Sequence, residues 1–101
     1  MAKELRVTIE GKRYKLFLGM EAVCYAEEAT GLPFTKLLDG ELTLPTLEAL
    51  WHGALMEHHQ MKPHESRALM EQAGLNVVMD RIGRGVVALM AGPATKAKAA
   101  A

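Results

Sequence analysis

From Leu5 to Leu18 the chain reads "LRVTIEGKRYKLFL", with apolar residues at alternate positions on either side of Gly11. Period two marks a strand with one covered face. A two-residue turn at Gly11-Lys12, with Gly11 supplying the positive φ of a type II′ turn, predicts a β-hairpin. In that register Glu10 faces Arg13, Ile9 faces Tyr14, Val7 faces Leu16 and Leu5 faces Leu18. One face is then apolar, and the other carries Arg6, Thr8, Lys15 and Phe17 with the Glu10–Arg13 pair. A slip by one residue would scramble both faces. A lone hairpin is marginal, so helices must cover its apolar side.

After Gly19 the period becomes helical. "MEAVCYAEEATG" predicts a helix stopped by Gly31, with Met20, Ala22, Val23 and Ala26 on its apolar arc and Glu27 inside that arc. "LPFTKLLDG" predicts a short helical turn started by Pro33. A longer helix is expected from about Pro45 to Gln60, another from Pro63 to the stop at Gly74, and a last one capped by Asn76 and ended by Gly92-Pro93. The fold class is α+β: an N-terminal two-stranded hairpin packed on a small bundle of about four helices. Residues 1–92 are expected to form a single domain, with 93–101 a flexible polar tail.

Two of these helices are more apolar than a surface helix requires. The helix from Pro45 places Leu47, Leu50, Trp51, Ala54, Leu55 and His58 on one side, and Ala49, Gly53 and Met56 on the other. Glu48, His52 and His59 form its polar strip. The last helix carries an apolar arc of roughly 160°, from Gly85 and Val78 through Ile82, Leu89, Val86 and Met79 to Met90. Gly83 and Gly85 within it cost about 1 kcal/mol each relative to Ala, which points to a close helix approach or to flexing. Either both helices form the bundle centre, or one of these faces is a docking surface. Apolar positions in excess of one core side single out Phe34, Leu37, Leu38, Ala49, Gly53 and Met56 as partner-facing.

Composition narrows the function. The 101 residues balance twelve basic against twelve acidic side chains. A chain of zero net charge is a poor general binder of nucleic acid or of anionic lipid. The single cysteine, Cys24, cannot form an internal disulfide, so a reducing compartment is expected. Neither a membrane-spanning apolar run nor a signal-peptide core is visible. These features describe a small soluble cytoplasmic domain.

The densest chemistry lies in "EHHQMKPHE", residues 57–65, with His52 upstream. Two metal ligands on one helix face need a spacing of three or four, whereas His52 is six and seven residues from His58 and His59. A pair seven apart is separated by about 10 Å along a helix, too far for one ion to bridge. A metal-dependent enzyme would need His52, His58, His59 and His64 to converge, and the favoured reading is a polar joint between helices, with His58 as a possible core residue beside Trp51. Cys24 shares a face with Met20 and is expected in the core. Ser66 does not sit at a strand-to-helix elbow, and "GRG" lacks the phosphate-loop spacing. Glu27 is expected to pair with Arg81 or Arg84 of the last helix. No catalytic residue, metal site or cofactor is predicted. A DNA-binding regulator would need a basic recognition helix, and the last helix offers only Arg81 and Arg84.

The order "VTIEGKRYKLFLGMEAVCYAEEATGLPFTKLLDGELTLPTLEALWHGAL" resembles the small tail assembly chaperones of long-tailed phages and gene transfer agents, a group sometimes labelled tail tube proteins. The shared outline is a hairpin with G-K/R-x-Y/F, a helix ending E-E-x-T-G-L, a Leu-rich segment and a helix opening before "LWHGAL". "KPHESRALMEQAGLNVVMDRIGRGVVALMAG" resembles the portion that follows, so the likeness spans about residues 5 to 92. The resemblance implies a non-enzymatic protein of the bacterial host cytoplasm. Such a protein binds the hydrophobic tape measure protein until tail tube subunits polymerise around it, and it self-associates. It also implies a longer frameshifted form in many members. Methionine-rich faces, here with Met56, Met70, Met79 and Met90, suit a binder of varied apolar segments. The alternative within morphogenesis is a structural tail component retained in the virion.

Overall fold

The computed structural model describes residues 5–37 and 43–91, without the side chains of Phe34 and Leu37. Strands β1 (Leu5–Ile9) and β2 (Lys12–Leu16) are followed by α1 (Met20–Thr30), α2 (Phe34–Leu37), α3 (Leu44–Met56), α4 (Pro63–Ala73) and α5 (Leu75–Ala91). The protein is therefore α+β, an antiparallel hairpin followed by four helices and the short α2. The expected tail, 93–101, lies outside the described residues, as does Leu38.

The hairpin forms, but in a different register. Its pairs are Leu5–Leu16, Arg6–Lys15, Val7–Tyr14, Thr8–Arg13 and Ile9–Lys12. The turn is Glu10-Gly11, with φ of 50° and 84°. Positive φ at both central residues is the condition of a type I′ turn, whose twist matches that of the strands. Gly11 is thus the second turn residue, and Glu10 tolerates the left-handed conformation before it. Because the displacement is two residues, every side chain keeps its expected face: Val7, Ile9, Tyr14 and Leu16 are buried.

α3 is the central element, packed against α1, α4, α5 and β2. Trp51 and Leu55 are fully enclosed, together with Leu16, Val78 and Ile82. Thr43 caps α3 by accepting the Thr46 N–H, at 3.4 Å. The helix stops at Met56, short of Gln60, because the Leu55 carbonyl takes the N–H groups of both His58 and His59 (3.1 and 2.9 Å) and turns the chain aside. His59 is carried to the sheet edge, where its Nε2 accepts the Lys15 N–H at 3.1 Å.

α1 ends as expected, with Gly31 at φ 75° donating its N–H to the Glu27 carbonyl (2.8 Å). Its core face is Ala22, Val23 and Ala26, whereas Met20 is 68% exposed. Cys24 shares Met20's side of the helix and is exposed, so the core position expected for it is corrected. α4 starts at Pro63, and Glu65 reaches back to accept the Lys62 N–H at 2.6 Å. Gly74, at φ 91°, alone separates α4 from α5. Its carbonyl accepts the Val78 N–H, so it starts α5 in place of the expected cap Asn76, which lies inside the helix.

Candidate functional site

The histidines do not converge. His52, placed by periodicity on a polar strip, is 5% exposed, because α4 folds back over it. Its Nδ1 lies 2.9 Å from Ser66 Oγ, and Ser66 Oγ donates to the Pro63 carbonyl at 2.9 Å. With that proton committed, Ser66 accepts from His52 Nδ1–H, which fixes the neutral tautomer. Trp51 Nε1–H donates to the Ser66 carbonyl at 3.0 Å, so three buried polar groups satisfy one another between α3 and α4. A serine that donates to a carbonyl and is itself 2% exposed is a helix-joining group and is not poised as a nucleophile. His58 is exposed in the turn after α3, as the polar-joint reading has it and not in the alternative core position beside Trp51. His64 is exposed at the start of α4. Among the described residues no group of three or more His, Cys, Asp or Glu side chains could hold a metal ion.

Burial pushes His52 below the ordinary histidine value, and burial followed by the charges of His58, Lys12 and Lys15 does the same to His59. A base with a depressed folded pKa takes up its proton more readily when unfolded, so stability rises with pH in that window. The contribution is complete above about pH 6.5, the unfolded value, and falls away as pH drops through the folded value. Urea titrations at about pH 7.5 and pH 5 are therefore expected to show an acid-induced loss that is smaller in His52→Gln than in the native chain.

Arg81 and Arg84 do not make the expected pair with Glu27. Both bind Asp80 of their own helix, at 2.5 and 3.1 Å, and Arg81 Nε also donates to the Arg6 carbonyl at 3.1 Å. Desolvation raises the Asp80 pKa, but hydrogen bonds from Arg81 and Arg84 outweigh it and hold the carboxyl below its usual range. A further ion pair joins Arg67 to Glu48 at 2.9 Å.

Of the six residues expected to face a partner, Ala49 and Gly53 are core. Both are buried, and a Cβ at Gly53 would lie 2.9 Å from Ala22 Cα, so this side of α3 is closed by α1. Met56 is 47% exposed. The side chains of Phe34 and Leu37, and the whole of Leu38, lie outside the described structure.

Among the described residues, an exposed apolar stripe runs along α5. Val78, Ile82 and Gly85 face the core, while Leu75, Met79, Val87 and Met90 are between 48% and 68% exposed. With Gly83 they follow steps of four, four, four and three, which keeps them on one face for about 22 Å of helix. A Cβ at Gly83 would meet nothing within 4 Å, so the glycine is a notch midway along the stripe. Leu5, Met79, Gly83, Val87 and Ala88 line an open groove beside it, rimmed by Asp80 and Arg84. At the near end the apolar surface continues through Leu44, 57% exposed, which shares a depression with Met70 and Leu75. The signal was present in the sequence as the width of the α5 arc: the arc contains two faces, and only one is core.

The described residues form a small α+β fold with an exposed apolar stripe along one helix. No protein-family model, curated protein or solved structure matches the chain. No helix of the described residues is long and apolar enough to cross a membrane.

Proposed function

We propose that the chain is a non-enzymatic tail assembly chaperone of a long-tailed phage or prophage, acting in the host cytoplasm on the tape measure protein. The observation that carries this reading is the stripe Leu75, Met79, Val87 and Met90, exposed along one face of α5 around the Gly83 notch. An apolar helix laid against such a face is a common mode of peptide recognition, read as anchors at helical spacing. Methionines at two of the four anchor positions adapt to different side chains, which suits a long partner of varied sequence. Apolar exposure on this scale is also unfavourable for an isolated domain and is explained by a partner that covers it. Self-association and contact with tail tube subunits belong to the same proposal.

Co-expression with the tape measure gene encoded nearby tests it. The tape measure is expected to become soluble only with this chain and to co-purify with it. The proposal fails if the tape measure stays insoluble and unbound while the chain is found by mass spectrometry in purified particles, which is the outcome for a structural tail component.

A further inference from the structure

The zero net charge conceals a concentration of cations on the outer face of the hairpin. Arg6 and Lys15 are directly opposed across the strands, and Arg13 lies diagonal to Arg6. With Ile9–Lys12 closing a two-residue turn, Arg6–Lys15 falls on a non-hydrogen-bonded pair, the type with the closer side chains. Like charges directly opposed destabilise a sheet. The second wall comes from the turn after α3. Arg6, Arg13, Tyr14, Lys15, His58 and His59 line one open cleft of about 400 Å³. No carboxylate of the described residues is among its walls: Glu10 sits in the hairpin turn, and Glu57 lines a separate depression beside Phe17 and Met20.

The cleft is held in shape from both edges of the sheet. His59 accepts the Lys15 N–H and its ring packs on Tyr14, 5.4 Å between centroids. Lys12 Nζ lies 5.3 Å from the same Tyr14 ring. On the other edge Arg81 donates to the Arg6 carbonyl. Burial and the neighbouring His58, Lys12 and Lys15 keep His59 below its ordinary pKa, as a positive local field requires. Among the described residues no carboxylate pairs with Arg6, Arg13 or Lys15, and the opposition of Arg6 and Lys15 works against the hairpin they sit on.

We propose that the cleft between the hairpin's outer face and the His58–His59 turn binds an acidic peptide segment of a protein partner, its carboxylates taken by Arg6, Arg13 and Lys15. Arginine forks pair with carboxylates in a two-point geometry, and the lysine adds a mobile charge. The size of the cleft suits two or three acidic side chains. A nucleic acid is disfavoured because a chain of zero net charge lacks the broad field that a long polyanion needs. The site is separate from the α5 stripe and does not depend on what that stripe binds.

The test is fluorescence anisotropy with a labelled hexaglutamate peptide on the full chain at low salt. The native chain is expected to bind the peptide, and added salt to weaken the complex. The double variant Arg13→Glu with Lys15→Glu is expected to lose about tenfold or more in affinity. Its thermal midpoint should be unchanged or raised, since the substitution at Lys15 places opposite charges across from each other. That combination separates a binding site from a merely structural one. A control with the same charge change elsewhere, Lys36→Glu with Lys62→Glu, is expected to stay within about twofold of native. The proposal is overturned if hexaglutamate does not bind, if the control variant loses as much as the cleft variant, or if an eight-residue oligothymidine binds about tenfold tighter than the peptide.

Discussion

Trp51→Ala is expected to destabilise the domain by about 3–5 kcal/mol, the range for truncating a large aromatic core residue. Trp51 is 0% exposed at the centre of α3, the helix that touches α1, α4, α5 and β2. Removing the indole empties a space that four elements share, and no single one of them can move to refill it. It also deletes the donor to the Ser66 carbonyl. A small domain is stable by only about 5–15 kcal/mol, so the loss takes a large share of the total. Trp51→Phe separates the two causes: it keeps an aromatic ring and loses the hydrogen bond to a carbonyl that retains its own helical partner, at a cost of about 0.5–1.5 kcal/mol for the bond together with some lost packing. Urea unfolding followed by far-UV circular dichroism measures both, since the alanine variant lacks the only tryptophan. A cost below about 1 kcal/mol for Trp51→Ala would show that α3 is not the centre of the core.

The second large effect is a contrast between two glycines that the sequence does not distinguish. Gly53→Ala places a Cβ 2.9 Å from Ala22 Cα and 3.0 Å from its carbonyl oxygen, both backbone atoms that cannot swing away. Overpacking of this kind costs about 1–3 kcal/mol, and the better helix propensity of alanine returns only about 1 kcal/mol. Gly83→Ala receives the same propensity gain in open space. The two variants are therefore expected to differ by about 1–3 kcal/mol, with Gly83→Ala above the native thermal midpoint and Gly53→Ala at or below it. Equal midpoints would contradict the close approach of α1 and α3.

These same residues show what was legible in the chain. Period two gave the hairpin's faces, because any even displacement preserves them. The register was not legible, because Gly11 fits either central position of a two-residue turn and Glu10 carries no mark of its φ of 50°. Helix starts at Pro63 and stops at Gly31 and Gly74 were readable, since each rests on the residue's own backbone geometry. Which face of an apolar helix is covered was not, because that depends on elements far away in sequence. The excess apolar side of α3, Ala49 and Gly53, is a second core side closed by α1. The excess side of α5 is exposed among the described residues. His52 looked polar-facing until Ser66, fourteen residues away, came to lie against it. The cationic cleft was hidden in the same way: a total of zero says nothing about where the charges gather.

Under the proposed function, the α5 stripe is the surface that engages the tape measure. Its most direct test is the co-purification experiment repeated with Met79→Glu and Val87→Glu combined, alongside Met56→Glu. Met79 and Val87 are 49% and 68% exposed, so charging them should leave the urea midpoint nearly unchanged. The double variant is expected to stay folded and no longer carry the tape measure into the soluble fraction, while native chain does. A folded double variant that still recovers the tape measure as well as native chain, with recovery lost in Met56→Glu, would contradict the α5 assignment and place the binding surface at the end of α3.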